Sequence, residues 1–202
     1  MNEHVADFPP LPRTTQAAEG MPRRPWKVAE IEAMVAAGII SEDERFELIG
    51  GEVVPMSPKG ARHEMVKIDV NEHLQKIKAD DLRIGQETIL RLDDQSFVEP
   101  DFCMFPRATN PGDMRGYDVL LAIEIADTSL RYDLGRKIGV YAAYGIPEVW
   151  VIDANTLVTH VHRRLGAVGY ADVFEACSAE TLAAGRAPSV TVCLEKLGLK
   201  PT

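Results

Sequence analysis

The chain has 202 residues, 46% of them hydrophobic and 26% charged, a composition that predicts one folded globular domain rather than a disordered chain. Its 31 acidic against 22 basic residues give a formal net charge of −9, which argues against a constitutive, tight nucleic-acid binder but not against an acidic site that takes a cation before it meets a phosphate. Three cysteines without a CxxC pair predict neither a disulfide framework nor a cysteine zinc site, so the expected compartment is the reducing cytoplasm, and no apolar run nears the ~18 residues of a membrane span.

Residues 1–25 carry five prolines and little periodic hydrophobicity, and read as a mobile N-terminal arm. Acids and prolines stand in Met1–Pro12 where a secretory signal has basic and then apolar residues. A single domain is expected over residues 26–202. Lys27 to Ala37 has Val28, Ile31, Met34 and Val35 on one side and Gly38 at its end, the pattern of a helix. Arg45 to Ile49 and Glu52 to Met56 flank Gly50-Gly51 as a hairpin. Ala61 to Lys78 predicts a second helix with Val66, Val70, Leu74 and Ile77 turned inward. Period 2 then predicts strands over Ile84 to Leu92 and Phe97 to Phe105, with a turn at Asp93-Asp94-Gln95. Ala108 to Tyr117 reads as a loop. Asp118 to Ala126 is nearly all apolar, as a central strand covered on both faces should be. A third helix is expected over Leu130 to Tyr144, stopped by Gly145 and Pro147. Strands come next at Glu148 to Asp153 and Leu157 to Arg164, with weaker ones at Tyr170 to Ala176 and Val190 to Leu194. The whole predicts an α/β domain, a mixed central sheet flanked by helices.

Carboxylates interrupt this apolar framework. Glu124 shares a strand face with Ala122 and Ala126, where an ionised group needs a cation or hydrogen bonds to offset its burial. It is therefore either half of a structural ion pair or a metal ligand or catalytic acid. Glu99 and Asp101 share a face around Pro100, which removes one ladder donor and suggests an edge or bulge. They also read as an ordinary strand-end pair. Glu47, between Phe46 and Leu48, fits a hydrated strand face. Asp133 and Lys137 stand at the i,i+4 spacing of a surface salt bridge, with Arg131 and Arg136 nearby. Lys59, His63 and Lys67 form a basic helix edge that suits phosphate or plain solvent. His160 and His162 point to one side of a strand without an acidic or cysteine partner close in sequence, so zinc there is disfavoured. No GxSxG, P-loop or GxGxxG occurs.

In order, Phe46-Glu47-Leu48-Ile49-Gly50-Gly51-Glu52-Val53, Met56-Ser57-Pro58, His63, Glu99-Pro100-Asp101, Ile123-Glu124-Ile125, Asp127-Thr128-Ser129, Asp133 to Lys137 and Tyr141 to Asp153 resemble the Uma-two-type family of restriction endonucleases, within the PD-(D/E)XK superfamily. The resemblance covers about Trp26 to Arg164. It implies a restriction-endonuclease-like fold in which Asp101 matches the PD aspartate and Glu124 the acid of the (D/E)XK element. Ala126 stands where that element carries lysine, and Lys137 matches a lysine supplied from the next helix. Glu47 matches the glutamate that completes the acidic cluster, and Asp133 a partner of Lys137. The implied metal ligands are Glu47, Asp101, Glu124 and the backbone carbonyl of Ile125, and the implied cofactor is Mg2+ or Mn2+. Catalysis would fall to Asp101, Glu124, Lys137 and Glu47.

The expected function is that of a metal-dependent endonuclease acting on phosphodiesters, foremost in DNA. It is expected in the cytoplasm, as a homodimer and with no membrane partner. Two rivals remain open: a non-catalytic homodimeric interaction module that keeps the fold, and a two-carboxylate glycosidase, which would have no use for Lys137.

Overall fold

The computed structural model describes Pro9 and residues 24–202. The arm expected over residues 1–25 therefore lies, apart from Pro9, Arg24 and Pro25, outside the described residues.

The chain enters α1 (Val28–Ala36) and then the hairpin β1 (Phe46–Ile49) and β2 (Glu52–Pro55), in register Ile49 to Glu52. Gly50 and Gly51 have φ of +59° and +78°, the left-handed pair that a two-residue hairpin turn needs. Helix α2 (Ala61–Ile77) buries Val66, Val70 and Leu74, as the stripe predicts.

The next stretch departs from expectation. The strand expected over Ile84 to Leu92 is two strands, β3 (Leu82–Gln86) and β4 (Leu90–Asp93), in different sheets. The chain swings between them at Glu87, whose φ of +46° is in the left-handed region that a side chain disfavours. The strand expected over Phe97 to Phe105 is likewise β5 (Ser96–Val98) and β6 (Phe102–Pro106), parted at Glu99-Pro100-Asp101. Proline has no N–H to give a ladder, so pairing stops there.

Strand β7 (Leu121–Ala126) leads through a helical crossover to β8 (Glu148–Asp153), its parallel neighbour. That crossover is α3 (Leu130–Tyr132), a π-helical turn (Asp133–Lys137) and α4 (Ile138–Ala143). Strands β9 (Thr159–Gly166) and β10 (Gly169–Ala176) extend the sheet, while β11 (Leu182–Ala184) and β12 (Ala187–Val192) pair with each other.

The large sheet has the order β10-β9-β8-β7-β6-β3 and the smaller one β2-β1-β5-β4. Only the β7–β8 pair of the large sheet is parallel, which makes the sheet mixed. Leu121, Ile123 and Ile125 of β7 pack in one core with the α2 stripe. Ala122 and Ala126, on the opposite face, pack in a second core with Val140 and Tyr141 of α4. These two small side chains let α4 come close and leave Glu124, between them, in the contact. In the small sheet, Phe46 and Leu48 pack beneath α1. Alternation along β1 then turns Glu47 toward the cleft between the two sheets. Among the described residues, no helix is long and apolar enough to cross a membrane.

Candidate active site

A cleft of about 730 Å3 opens where the two sheets, the start of α2 and the helical crossover meet. Glu47, Asp101, Glu124 and Lys137 all line it, and all four are 5% exposed or less. They come from four separate stretches: β1, the break before β6, the middle of β7 and the end of the π-turn.

Lys137 Nζ lies 3.0 Å from Glu47 Oε1 and 3.0 Å from Glu124 Oε1. The surface salt bridge that its spacing to Asp133 suggested is not formed; Asp133 is itself buried and accepts the Ser129 hydroxyl at 2.5 Å. Burial works against the Lys137 ammonium, but Glu124, Glu47 and Asp133 hold its pKa well above the ordinary lysine value. The Tyr132 hydroxyl donates to Glu47 Oε2 at 3.2 Å, and the Glu99 amide to Glu47 Oε1 at 3.1 Å. Glu124 also accepts a hydrogen bond from the Tyr141 hydroxyl. Its carboxyl is pushed up to about 8 by burial, which the charges of Asp101, Asp133 and Glu47 reinforce and that of Lys137 opposes.

Asp101 takes other partners. Its Oδ2 accepts the Ile125 amide at 2.8 Å and His63 Nε2 at 3.1 Å, while Oδ1 accepts Lys59 Nζ at 3.0 Å. Burial raises the Asp101 pKa, but His63, Lys59 and the Ile125 amide together bring it well below the usual carboxylate range. The basic edge is thus no solvated face. His63 is buried, and Lys59 and Lys67 both donate to Glu87.

The donors are of the kind a hard divalent ion takes, three carboxylates lining one cleft, with negative charge from Asp101 and Glu47 raising the pKa of Glu124, but they are not gathered around one point. Lys137 is the cation between Glu47 and Glu124. Among the described residues no three His, Cys, Asp or Glu side chains converge closely enough to hold an ion. His160 and His162 gather no third ligand either: one faces Glu175 and the other packs on the Tyr170 ring.

Sequence reasoning gave no role to Tyr141 or Tyr132 and underrated Lys59. For Tyr141 a signal existed, since it lies four residues beyond Lys137 and so shares its helix face. Lys59 had none, because its partner Asp101 is 42 residues away.

The sequence model of the Uma2 family, described as “Putative restriction endonuclease”, matches residues 28–198. No curated protein matches the chain. Among solved structures, the crystal structure of “a putative nuclease belonging to DUF820” from Anabaena variabilis superposes with a TM-score of 0.63 at 13% identity, covering 86% of this chain and 97% of that one. At that identity the likeness concerns the fold, which is the mixed α/β architecture described above.

Proposed function

The chain belongs to the Uma2 family, and on that premise we propose that it is a metal-dependent endonuclease that hydrolyses phosphodiester bonds in DNA, working as a cytoplasmic homodimer. The observation that carries the reading is the meeting of Glu47, Asp101, Glu124 and Lys137 in one buried cleft from four parts of the sequence. Burying three acids costs stability that a mere scaffold has no reason to meet. The groups available to Mg2+ or Mn2+ are Glu47, Asp101, Glu124 and the Ile125 carbonyl, which would have to draw together around the ion with Lys137 displaced from between Glu47 and Glu124. What such an ion supplies when bound is Lewis acidity toward a phosphate oxygen and a more acidic water.

The chain's own groups do the rest. Lys137, kept charged by its acidic neighbours, presents an ammonium to the charge that develops on the phosphate. Tyr141 fixes the rotamer of Glu124, and Lys59 with His63 fixes that of Asp101. A two-fold pair of such clefts would cut both strands of a duplex.

One observation favours the rival reading of a non-catalytic homodimeric module: Lys137 already neutralises Glu47 and Glu124 without an ion. The test is a comparison of parent, Glu124→Gln and Lys137→Met. Mn2+ should raise the Tm of the parent through binding to the folded state. Glu124→Gln should lose most of that shift. Lys137→Met should show a larger shift, because its carboxylates have lost the cation between them, and yet cleave a DNA substrate at least 100-fold more slowly (~3 kcal/mol of transition-state stabilisation). Metal binding without cleavage of DNA or RNA by the parent would select the module. No metal-induced shift in any of the three would remove the basis of the nuclease reading.

A further inference from the structure

Arg136 lines the cleft from the π-turn, next to Lys137 and one turn from Tyr132. Its Nε and Nη2 atoms are buried and have no hydrogen-bond partner among the described residues. Charged donors that are both dry and unpaired are costly to keep, and few folded proteins keep them without a ligand that completes them. The nearby acids do not complete Arg136. Glu47 and Glu124 are engaged by Lys137, and Asp133 by Ser129. Arg131, exposed and lining the same cleft, adds a second guanidinium, and Lys137 is the most buried of the three cations.

We propose that Arg136 is a substrate-binding residue of this cleft, which turns its unpartnered Nε–Nη2 edge onto two oxygens of a backbone phosphate when a nucleic-acid strand enters. The proposal rests on the phosphodiesterase reading above and adds to it the group that grips the strand. A guanidinium edge matches two phosphate oxygens with two parallel N–H bonds, which an ammonium cannot do. A wall so acidic also needs such a group. Glu47, Asp101, Glu124 and Asp133 repel a polyanion, and the cations already spent on them attract it less.

The test is binding of a short fluorescent DNA duplex, in Ca2+ to limit cleavage, across a series of salt concentrations. Arg136→Gln should bind about tenfold or more weakly, and the slope of log Kd against log salt should fall by about 0.9, the share of one phosphate contact. Arg136→Lys should recover the slope but only part of the affinity. The Tm of metal-free Arg136→Gln should equal or exceed that of the parent, since the substitution removes unpaired buried donors. A lower Tm, or a duplex affinity and salt slope equal to those of the parent, would overturn the proposal while leaving the nuclease reading intact. Inorganic phosphate that stabilises the parent and not Arg136→Gln, with duplex binding alike in both, would assign the arginine to a free anion and overturn it too. A parent that binds neither duplex nor single strand at any salt overturns both readings together.

Discussion

Glu87 shows how a single residue can bind the rim of the cleft together. Its side chain receives Lys59 and Lys67, with Arg45 at 3.6 Å, while its backbone amide donates to the Asp101 carbonyl at 3.2 Å. Its φ of +46° costs something, and three cations around one carboxylate offset it. Burial opposes ionisation, yet Lys59 and Lys67 hold its pKa down at about 2 against an ordinary 4.5. A depressed acid contributes stability that is present above its unfolded pKa and lost as pH falls through the folded one. Glu87→Gln should therefore be less stable than the parent at neutral pH, by on the order of 1 kcal/mol given its partial exposure. The gap should close as pH falls from 4.5 toward 2. Urea denaturation of both proteins over that range checks it, and a gap that stays constant would count against the ion pairs as its source.

At the scale of elements, the segment from α3 through the π-turn to α4 sets the depth and direction of Lys137. A π-turn inserts one residue into a helix and rotates the residues beyond it, and such turns recur at functional sites. Here it puts Asp133, Arg136 and Lys137 on the cleft wall at once. Gly135, in the same turn, faces open space, with nothing within 4 Å of an added Cβ. Gly135→Ala should raise stability by roughly 0.5–1 kcal/mol, the usual helix difference, and leave cleavage unchanged. Thermal melts of the two proteins measure the first part, and a loss of stability would mean the turn needs glycine for another reason. The helix itself was legible in the sequence, as were the Gly50-Gly51 hairpin, α2 and the buried β7, because each has a strong local period. The π-turn was not, since the run from Leu130 to Tyr144 is too short for a shift of register within its 3.6 pattern to stand out. Nor were the splits of β3 from β4 and β5 from β6. Period 2 runs straight through a bend, and whether two halves of a run join different sheets depends on partners far along the chain. The same distance explains the site. The carboxylates stood out as anomalies on apolar strands, while the hydrogen bonds that hold them, from Lys59, Tyr132 and Tyr141, depend on tertiary contact.

For the whole molecule, β7 belongs to both cores, with Leu121, Ile123 and Ile125 on one face and Ala122 and Ala126 on the other. Neither core can come apart without exposing the other's central strand. Residues 26–202 are therefore expected to unfold as one unit. The two tryptophans report on different regions: Trp150 is 1% exposed in β8, and Trp26 is 37% exposed beside the small sheet. In urea, fluorescence and far-ultraviolet circular dichroism should trace the same transition. Two separated transitions would show that the small sheet with α1 is an independent unit.

The hydrogen bond from the Ile125 amide to Asp101 has a consequence for how this protein can be handled. Strands β6 and β7 are in register only as far as Phe102 opposite Ile123. Beyond that point the two strands fork, and the Asp101 side chain is the clasp at the crotch of the fork, taking the amide that a neighbouring strand would otherwise take. An asparagine there can turn its NH2 toward that amide and spring the clasp. Asp101→Asn is for that reason a poor inactive control: a silent enzyme could reflect frayed strands as readily as missing chemistry. Lys137 lies outside every strand ladder, but Lys137→Met leaves Glu47 and Glu124 buried without their cation, so a metal-free melt has to accompany either variant.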